Sequence, residues 1–263
     1  MFQFYSLFSS SSGNSLLVTT ENTKILIDAG ESARKIADIL FYCKTSIQEI
    51  DAIVVSHEHI DHVKGLGTLS KKYNIPVYAN DKTWNAMPAQ AEKIIDENKK
   101  FFVPNEEFEI GDICLHPFST PHDAASSCGF TLKHHNKKIG IATDLGHVSS
   151  NIMTQLEGSN FLFLESNYEP EVLKCSRYPY PLKQRIAGPN GHLSNEDAGK
   201  LISYLLTTDV RKVMLGHLSK ENNFPELAYK TVLTEVLNST SKNKKFSLDI
   251  ANDFSYTKSI RLE

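Results

Sequence analysis

The run His57-Glu58-His59-Ile60-Asp61-His62 places three imidazoles and two carboxylates within six positions. It follows the apolar segment Ile53-Val54-Val55, and a loop leaving a strand can aim such side chains at one point. Imidazole with carboxylate suits zinc, manganese or iron. The chain has ten histidines in 263 residues, so three in one short run argue against the alternative of an ordinary solvated loop. His57 and His59, two apart, point the same way on extended backbone. Asp61 and His62 then need the chain to turn, which sends them to a second point nearby. Two metals a few ångströms apart can polarise one substrate and hold one hydroxide between them. Glu58 reads as solvated, or at most as a support behind the ligands.

Other residues with chemistry to offer stand at the ends of apolar runs. Asp28 follows Ile25-Leu26-Ile27, His122 lies in Thr120-Pro121-His122-Asp123, and Asp144 closes Ile139-Gly140-Ile141-Ala142-Thr143. Glu165 ends Phe161-Leu162-Phe163-Leu164, and His217 follows Val213-Met214-Leu215-Gly216. Plainer roles compete: an exposed loop histidine for His122, or a helix N-cap before Ser149-Ser150 for Asp144. His192 precedes a helix whose apolar face includes Ala198, Leu201, Ile202 and Leu205. There, Ser194 could simply cap the helix while His192 packs beside it.

The elements that must position these residues alternate along the chain. Residues 2–8, 15–20 and 23–28 read as strands, with a polar turn from Ser9 to Asn14 and a tight hairpin at Glu21-Asn22. Ala33, Ile36, Ala37 and Leu40 mark a helix face. A helix is expected over 63–73, a strand over 76–79, and a helix over 81–97 interrupted by Pro88. Strands dominate 101–142, with turns at Asn105, Gly111-Asp112 and Asn136. Helices near 149–157, 194–206 and 224–238 then alternate with strands near 160–164, 210–215, 246–250 and 254–260. Strands gathered in each half, with interleaved helices, suit two face-to-face sheets with helices outside.

Composition fits one large α/β (α+β) domain over residues 1–263. Hydrophobic content of 40% and charged content of 22% are ordinary for a globular protein. The apolar runs fall well short of the ~20 residues that cross a bilayer, so no membrane partner is expected. The absence of a basic, apolar leader points to the cytoplasm. Cys43, Cys114, Cys128 and Cys175 are scattered and read as reduced thiols. A net charge of -3 argues against indiscriminate nucleic-acid binding but permits a local basic patch. Such a patch is offered by Lys174, Arg177, Lys183 and Arg185, interleaved with Tyr178 and Tyr180, with no acidic residue from Val172 to Ile186. It could grip phosphates and stack bases, or be a solvated basic loop.

The HxHxDH run after a hydrophobic strand resembles the metallo-β-lactamase superfamily. The set SSSSGNS, SHEHIDH, TPHDA, ATDLGH, LESNYE, GHLSNEDAG and LGHLSKENN is similar to its YycJ/WalJ-type bacterial branch. The resemblance spans residues 28 to 217 and implies a four-layer αββα sandwich. It assigns His57, His59 and His122 to one divalent metal (Zn2+, Mn2+ or iron), Asp61, His62 and His217 to a second, and Asp144 as the bridge. Asp28 would orient the metal loop by hydrogen bonds. Glu165 and His192 would form a dyad that protonates the leaving oxygen. Zinc β-lactamases typically carry cysteine at the Asp144 position, and glyoxalase-II-type thioesterases carry a helical C-terminal domain. Both departures turn the reading towards phosphodiesters.

The resemblance therefore implies a dinuclear phosphodiesterase: a DNA exonuclease, 5′ to 3′ as attributed to the family, attacking with a metal-bridged hydroxide. Ser12 and Asn14 could offer a phosphate or the metal rim polar contacts. Substrate grip would come from the basic stretch or from a homo-oligomer. Two other readings stand beside it. One is a small-molecule hydrolase of a cyclic phosphodiester, lactone or thioester; the other is a regulatory scaffold that keeps metal for stability alone.

Overall fold

A computed structural model of the chain describes residues 1–239, 245–251 and 259–262. Its framework is two seven-stranded sheets. The first contains β1 (Phe2–Ser10), β2 (Gly13–Thr19), β3 (Lys24–Ile27), β4 (Ala52–Val54), β5 (Val77–Ala79), β6 (Lys99–Phe101) and β14 (Ser259–Leu262), in the order β14-β1-β2-β3-β4-β5-β6. The second contains β7 (Phe108–Ile110), β8 (Ile113–Ser119), β9 (Cys128–His134), β10 (Lys137–Ala142), β11 (Phe161–Glu165), β12 (Lys212–Gly216) and β13 (Ser247–Ile250), in sequence order across the sheet.

The two sheets share one pairing plan, although the sequence has no visible repeat. From β14 to β3, and again from β7 to β10, neighbours are antiparallel; from β3 to β6 and from β10 to β13 they are parallel. Asp28 and Asp144 therefore follow equivalent strands, β3 and β10. Parallel pairs need crossovers, which are the helices.

Alternation along the strands divides the apolar residues. Phe4, Val18, Ile27 and Val54 meet Phe130, Ile141, Phe163 and Met214 between the sheets. Leu17, Leu26 and Ile53 face α1 (Ala33–Tyr42) and α3 (Leu66–Tyr73). Leu162, Leu164 and Leu215 face α6 (Ser150–Leu156), α9 (Asn195–Leu205) and α10 (Pro225–Asn238). The order helix, sheet, sheet, helix is the expected αββα sandwich.

Local differences have local causes. The polar turn shrinks to Ser11-Ser12, because β1 and β2 pair out to Ser10 and Gly13. The helix expected over 63–73 begins earlier, as α2 (Ile60–Val63) within the histidine cluster. The stretch 81–97 splits at Met87 into α4 (Asp81–Ala86) and α5 (Pro88–Ala91), where proline opens the second helix. Of the strand expected over 254–260, positions 254–258 lie outside the described residues. No helix among the described residues is long and apolar enough to cross a membrane.

Candidate metal centre

The candidate residues converge at the carboxyl ends of β3, β4, β10, β11 and β12, joined by the segment after β8. This is where α/β sheets open a crevice. Gly30 makes the approach possible: a Cβ there would lie 1.6 Å from the Asp61 carbonyl oxygen and 2.6 Å from the Asn14 amide.

Asp28 is the hub of the histidine loop. Its Oδ1 accepts from the Ser56 amide at 2.7 Å, and its Oδ2 from the Ser56 hydroxyl and His62 Nδ1, both at 2.8 Å. With Nδ1 of His62 engaged, Nε2 turns inward, 3.3 Å from Asp144 Oδ2. Asn14 Nδ2 lies 3.1 Å from that Nε2 and donates to Asp61 Oδ2 at 3.2 Å. His57 Nδ1 is 3.0 Å from the Ser56 hydroxyl, and His122 Nδ1 donates to the Gly191 carbonyl at 3.0 Å. Each support fixes which ring nitrogen faces the centre.

Two triads result. His57, His59 and His122 bring donor atoms within 4.8 Å of one another, as do Asp61, His62 and His217. These are the two groups expected from the sequence. Asp144 stands between them, its Oδ1 3.6 Å from both His122 Nε2 and His217 Nε2. His57 Nε2, His217 Nε2 and Asp144 Oδ2 are buried with no hydrogen-bond partner. Buried polar atoms are rarely left so. A nitrogen and oxygen donor set with unsatisfied inward atoms fits divalent cations.

The buried carboxylates and imidazoles of the centre also shift one another's protonation. Burial opposes charge on Asp144, yet His217 and His62 hold its carboxyl well below the usual range. Burial likewise opposes the imidazolium of His217, but Asp144, Asp61 and Glu165 outweigh it and raise the pKa to about 10. His57, buried beside His62, is pushed well down.

Glu165, fully buried at the end of β11, accepts on Oε1 from His192 Nδ1 at 2.7 Å and His217 Nδ1 at 2.8 Å. Its Oε2 accepts from the amides of Leu145 at 2.8 Å and Leu193 at 3.2 Å. The expected pair with His192 is formed, and the carboxylate also fixes His217. Burial works against the His192 imidazolium, but Glu165 overcomes it and raises its pKa. Ser194 caps α9 as well, accepting from the Asp197 amide at 3.1 Å, so capping and pairing coexist. The N-cap alternative for Asp144 fails, because Ser149 caps α6.

The basic stretch departs from expectation. It is largely two short helices, α7 (Pro170–Cys175) and α8 (Tyr180–Ile186), rather than a loop, each opened by proline in its first turn. Lys174 pairs with Glu171 at 2.5 Å, Lys183 donates to the Lys174 carbonyl at 2.6 Å, and Arg185 pairs with Asp123 beside His122. Arg177 is exposed and Tyr178 half-buried. The segment straps across the site: His147 Nδ1 donates to the Pro189 carbonyl at 2.8 Å, and a Cβ on Gly146 would strike that same carbonyl at 2.3 Å. Ser12 is exposed and accepts from Lys220 Nζ at 2.9 Å, whereas Asn14 reaches the centre itself.

A β-lactamase superfamily domain matches residues 23–218. The chain belongs to the metallo-β-lactamase superfamily. It is 39% identical over 229 residues to the exodeoxyribonuclease YycJ of Bacillus anthracis, covering 87% of each chain. It is 37% identical over 237 residues to the exodeoxyribonuclease WalJ of Streptococcus pneumoniae, covering 89% of this chain and 88% of the relative. Among solved structures, the metallo-β-lactamase fold protein YhfI of Bacillus subtilis superposes with a TM-score of 0.73 at 15% identity, covering 99% of this chain and all of that one. Membership in this superfamily, with these relatives, makes the chain a metal-dependent hydrolase.

Several supporting residues escaped the sequence reading. Ser56 joins Asp28 to the histidine loop, Ser9 Oγ accepts from the His217 amide at 2.7 Å, and Asn167 Nδ2 donates to the His217 carbonyl at 2.8 Å. Their only signal was adjacency to a motif. Asp28, Asp144 and His217 have φ of 64°, 55° and 56°. That left-handed backbone is uncommon for side chains other than glycine and gathers at functional sites.

Proposed function

We propose that this protein is a DNA exonuclease that works with two divalent ions. The observation that carries the reading is the pair of triads joined by Asp144, with inward atoms left unsatisfied, beside a histidine held by a buried glutamate. The two exodeoxyribonuclease relatives support DNA as substrate. His57, His59 and His122 would hold one ion, Asp61, His62 and His217 the other, and Asp144 both. When bound, such ions supply Lewis-acid polarisation of a phosphodiester and activation of water near neutral pH.

The chain's own residues do the rest. Asp28 and Ser56 keep the histidine loop in register, so the inward nitrogens need no reorganisation when substrate arrives. Glu165 holds His192 at Nδ1, which leaves Nε2 to deliver a proton to the departing sugar oxygen. A poor alkoxide leaving group makes that proton worth about 10²- to 10⁴-fold in rate. Asn14 steadies Asp61 through its amide. Arg177, with the Arg185–Asp123 pair at the rim, would meet the strand's phosphates, and 5′ to 3′ polarity is the direction we assign. Four free cysteines support a reducing, cytoplasmic setting.

The test is incubation of purified protein and Mn2+ or Zn2+ with end-labelled single- and double-stranded DNA and RNA. Stepwise loss of DNA from the 5′ end is expected. Hydrolysis confined to a small phosphodiester or lactone would overturn the reading.

A further inference from the structure

Away from the metal centre, a cleft of about 420 Å3 opens on the outer face of the first sheet, beside the end of α1. Strand pairing lays Arg261, Gln3, Thr19 and Lys24 in one row across β14, β1, β2 and β3. Three strand intervals make that row about 14 Å long. Alternation sets its face: Tyr5 and Leu17, two residues from Gln3 and Thr19, belong to the apolar cluster under α1. The helix ends at Tyr42, and Lys44 takes the left-handed conformation that commonly closes a helix, with φ of 56°. That turn brings Tyr42, Lys44 and Thr45 into the wall of the cleft. Lys24 opens β3 and Asp28 follows its last residue, so the cleft and the metal loop stand about 13 Å apart along the strand.

The lining carries three cations, Lys24, Lys44 and Arg261, and no carboxylate, in a chain whose acidic residues outnumber its basic ones by 31 to 28. Lys24 is held by Glu49, whereas Lys44 and Arg261 have no ion-pair partner among the described residues. Tyr5 donates from its hydroxyl to Gln3 Oε1 at 3.1 Å, which leaves the amide NH2 of Gln3 as a donor beside Arg261. Thr45 also lines the cleft, and its buried hydroxyl has no hydrogen-bond partner, a state rare for buried polar groups. The Leu40 and Phe41 carbonyls at the end of α1 would repel an anion, but the amides of Cys43, Lys44 and Thr45 engage them.

We propose that this cleft binds a mononucleotide, with its phosphate on Arg261 and Lys44 and its base against Tyr42. Arginine's planar fork matches a phosphate's oxygens, and a lysine beside it adds a point charge. The volume falls near the low end of small-ligand pockets, about 300–1,000 Å3, which exceeds what a bare phosphate fills. Tyr42, 58% exposed, offers a ring face, and stacking on aromatic side chains tolerates any base. The inference stands apart from the nuclease reading, because none of these residues belongs to the metal centre.

The test is calorimetric titration of the full chain with deoxyadenosine 5′-monophosphate, deoxyadenosine and inorganic phosphate, each with and without a chelator. The monophosphate should bind one to one with the chelator present, which keeps ions from the metal centre. Deoxyadenosine and inorganic phosphate should each bind more weakly, on the order of tenfold. Lys44→Ala and Arg261→Ala should each weaken the monophosphate by a similar factor, while Lys44→Arg should keep its affinity. Tyr42→Ala should weaken the monophosphate and leave inorganic phosphate unchanged, because only the base meets the ring. Lys44 and Arg261 are both exposed, so their variants should melt and take up metal as wild type does. Binding that vanishes with the chelator, or that survives loss of both cations, would overturn the site. Inorganic phosphate bound as tightly as the monophosphate would overturn the mononucleotide as its ligand.

Discussion

Replacing Glu165 with glutamine tests the architecture at its most connected point. The carboxylate is completely buried and accepts four hydrogen bonds, two from imidazoles on Oε1 and two from backbone amides on Oε2. Glutamine has nearly the same shape but only one accepting oxygen. Whichever way the amide turns, its NH2 group faces two donors. Two hydrogen bonds to a charged acceptor are lost, each worth about 1.5–3 kcal/mol, so destabilisation of roughly 3–6 kcal/mol is expected. Catalysis should fall further than stability alone explains, because His192 loses both its orientation and its anion. Loss of general-acid function costs about 10²- to 10⁴-fold in kcat. The assay pairs urea denaturation with kcat on end-labelled DNA, measured where the variant remains folded. A folded Glu165→Gln protein with wild-type kcat would refute the assigned role of the pair.

Three further outcomes follow from particular contacts. Asp28→Asn keeps the size but puts an NH2 group among three donors; metal affinity should drop about 10- to 100-fold, checked by competition with a chelating dye. Gly30→Ala forces a Cβ into the Asp61 carbonyl, and overpacking should cost about 1–3 kcal/mol with loss of metal uptake, read by thermal melting and metal analysis. Asp112 joins the two sheets' hairpins, accepting from Thr20 Oγ1 at 2.7 Å and Asn22 Nδ2 at 3.2 Å. Although burial works the other way, bonds from Thr20, Thr23 and Asn22 depress its pKa from 3.8 to about 2. A depressed carboxylate stabilises above its unfolded pKa, and that contribution fades as pH falls from 3.8 through about 2. Solvent screening holds it to about 1 kcal/mol or less, so the stability gap between wild type and Asp112→Ala should close across that window in acid titrations.

The sequence made the candidate metal centre legible because the residues that converge there are chemically rare types at the ends of apolar runs. Strand periodicity and the helix faces around Ile36 and Leu201 revealed the layers for the same reason: burial leaves a pattern. The strap from Pro170 to Gly191 was not legible as helix, because α8 buries no side chain and so shows no apolar face. Arg185 read as a phosphate ligand, since its partner Asp123 lies 62 positions away and only folding brings them together. Ser9, Ser56 and Asn167 are common residue types whose importance lies in which hydrogen bond they complete, and the left-handed backbone at Asp28, Asp144 and His217 is a tertiary imposition.

The central claim is that Asp144 joins two cation-binding triads into one hydrolytic centre. Metal-free protein titrated with Mn2+ or Zn2+, while bound metal and DNA hydrolysis are recorded together, tests it most directly. The account predicts two ions per chain and hydrolysis that reaches its maximum only with the second equivalent, with Asp144→Asn abolishing both. Full hydrolysis in the metal-free protein, or saturation at a single equivalent, would contradict it.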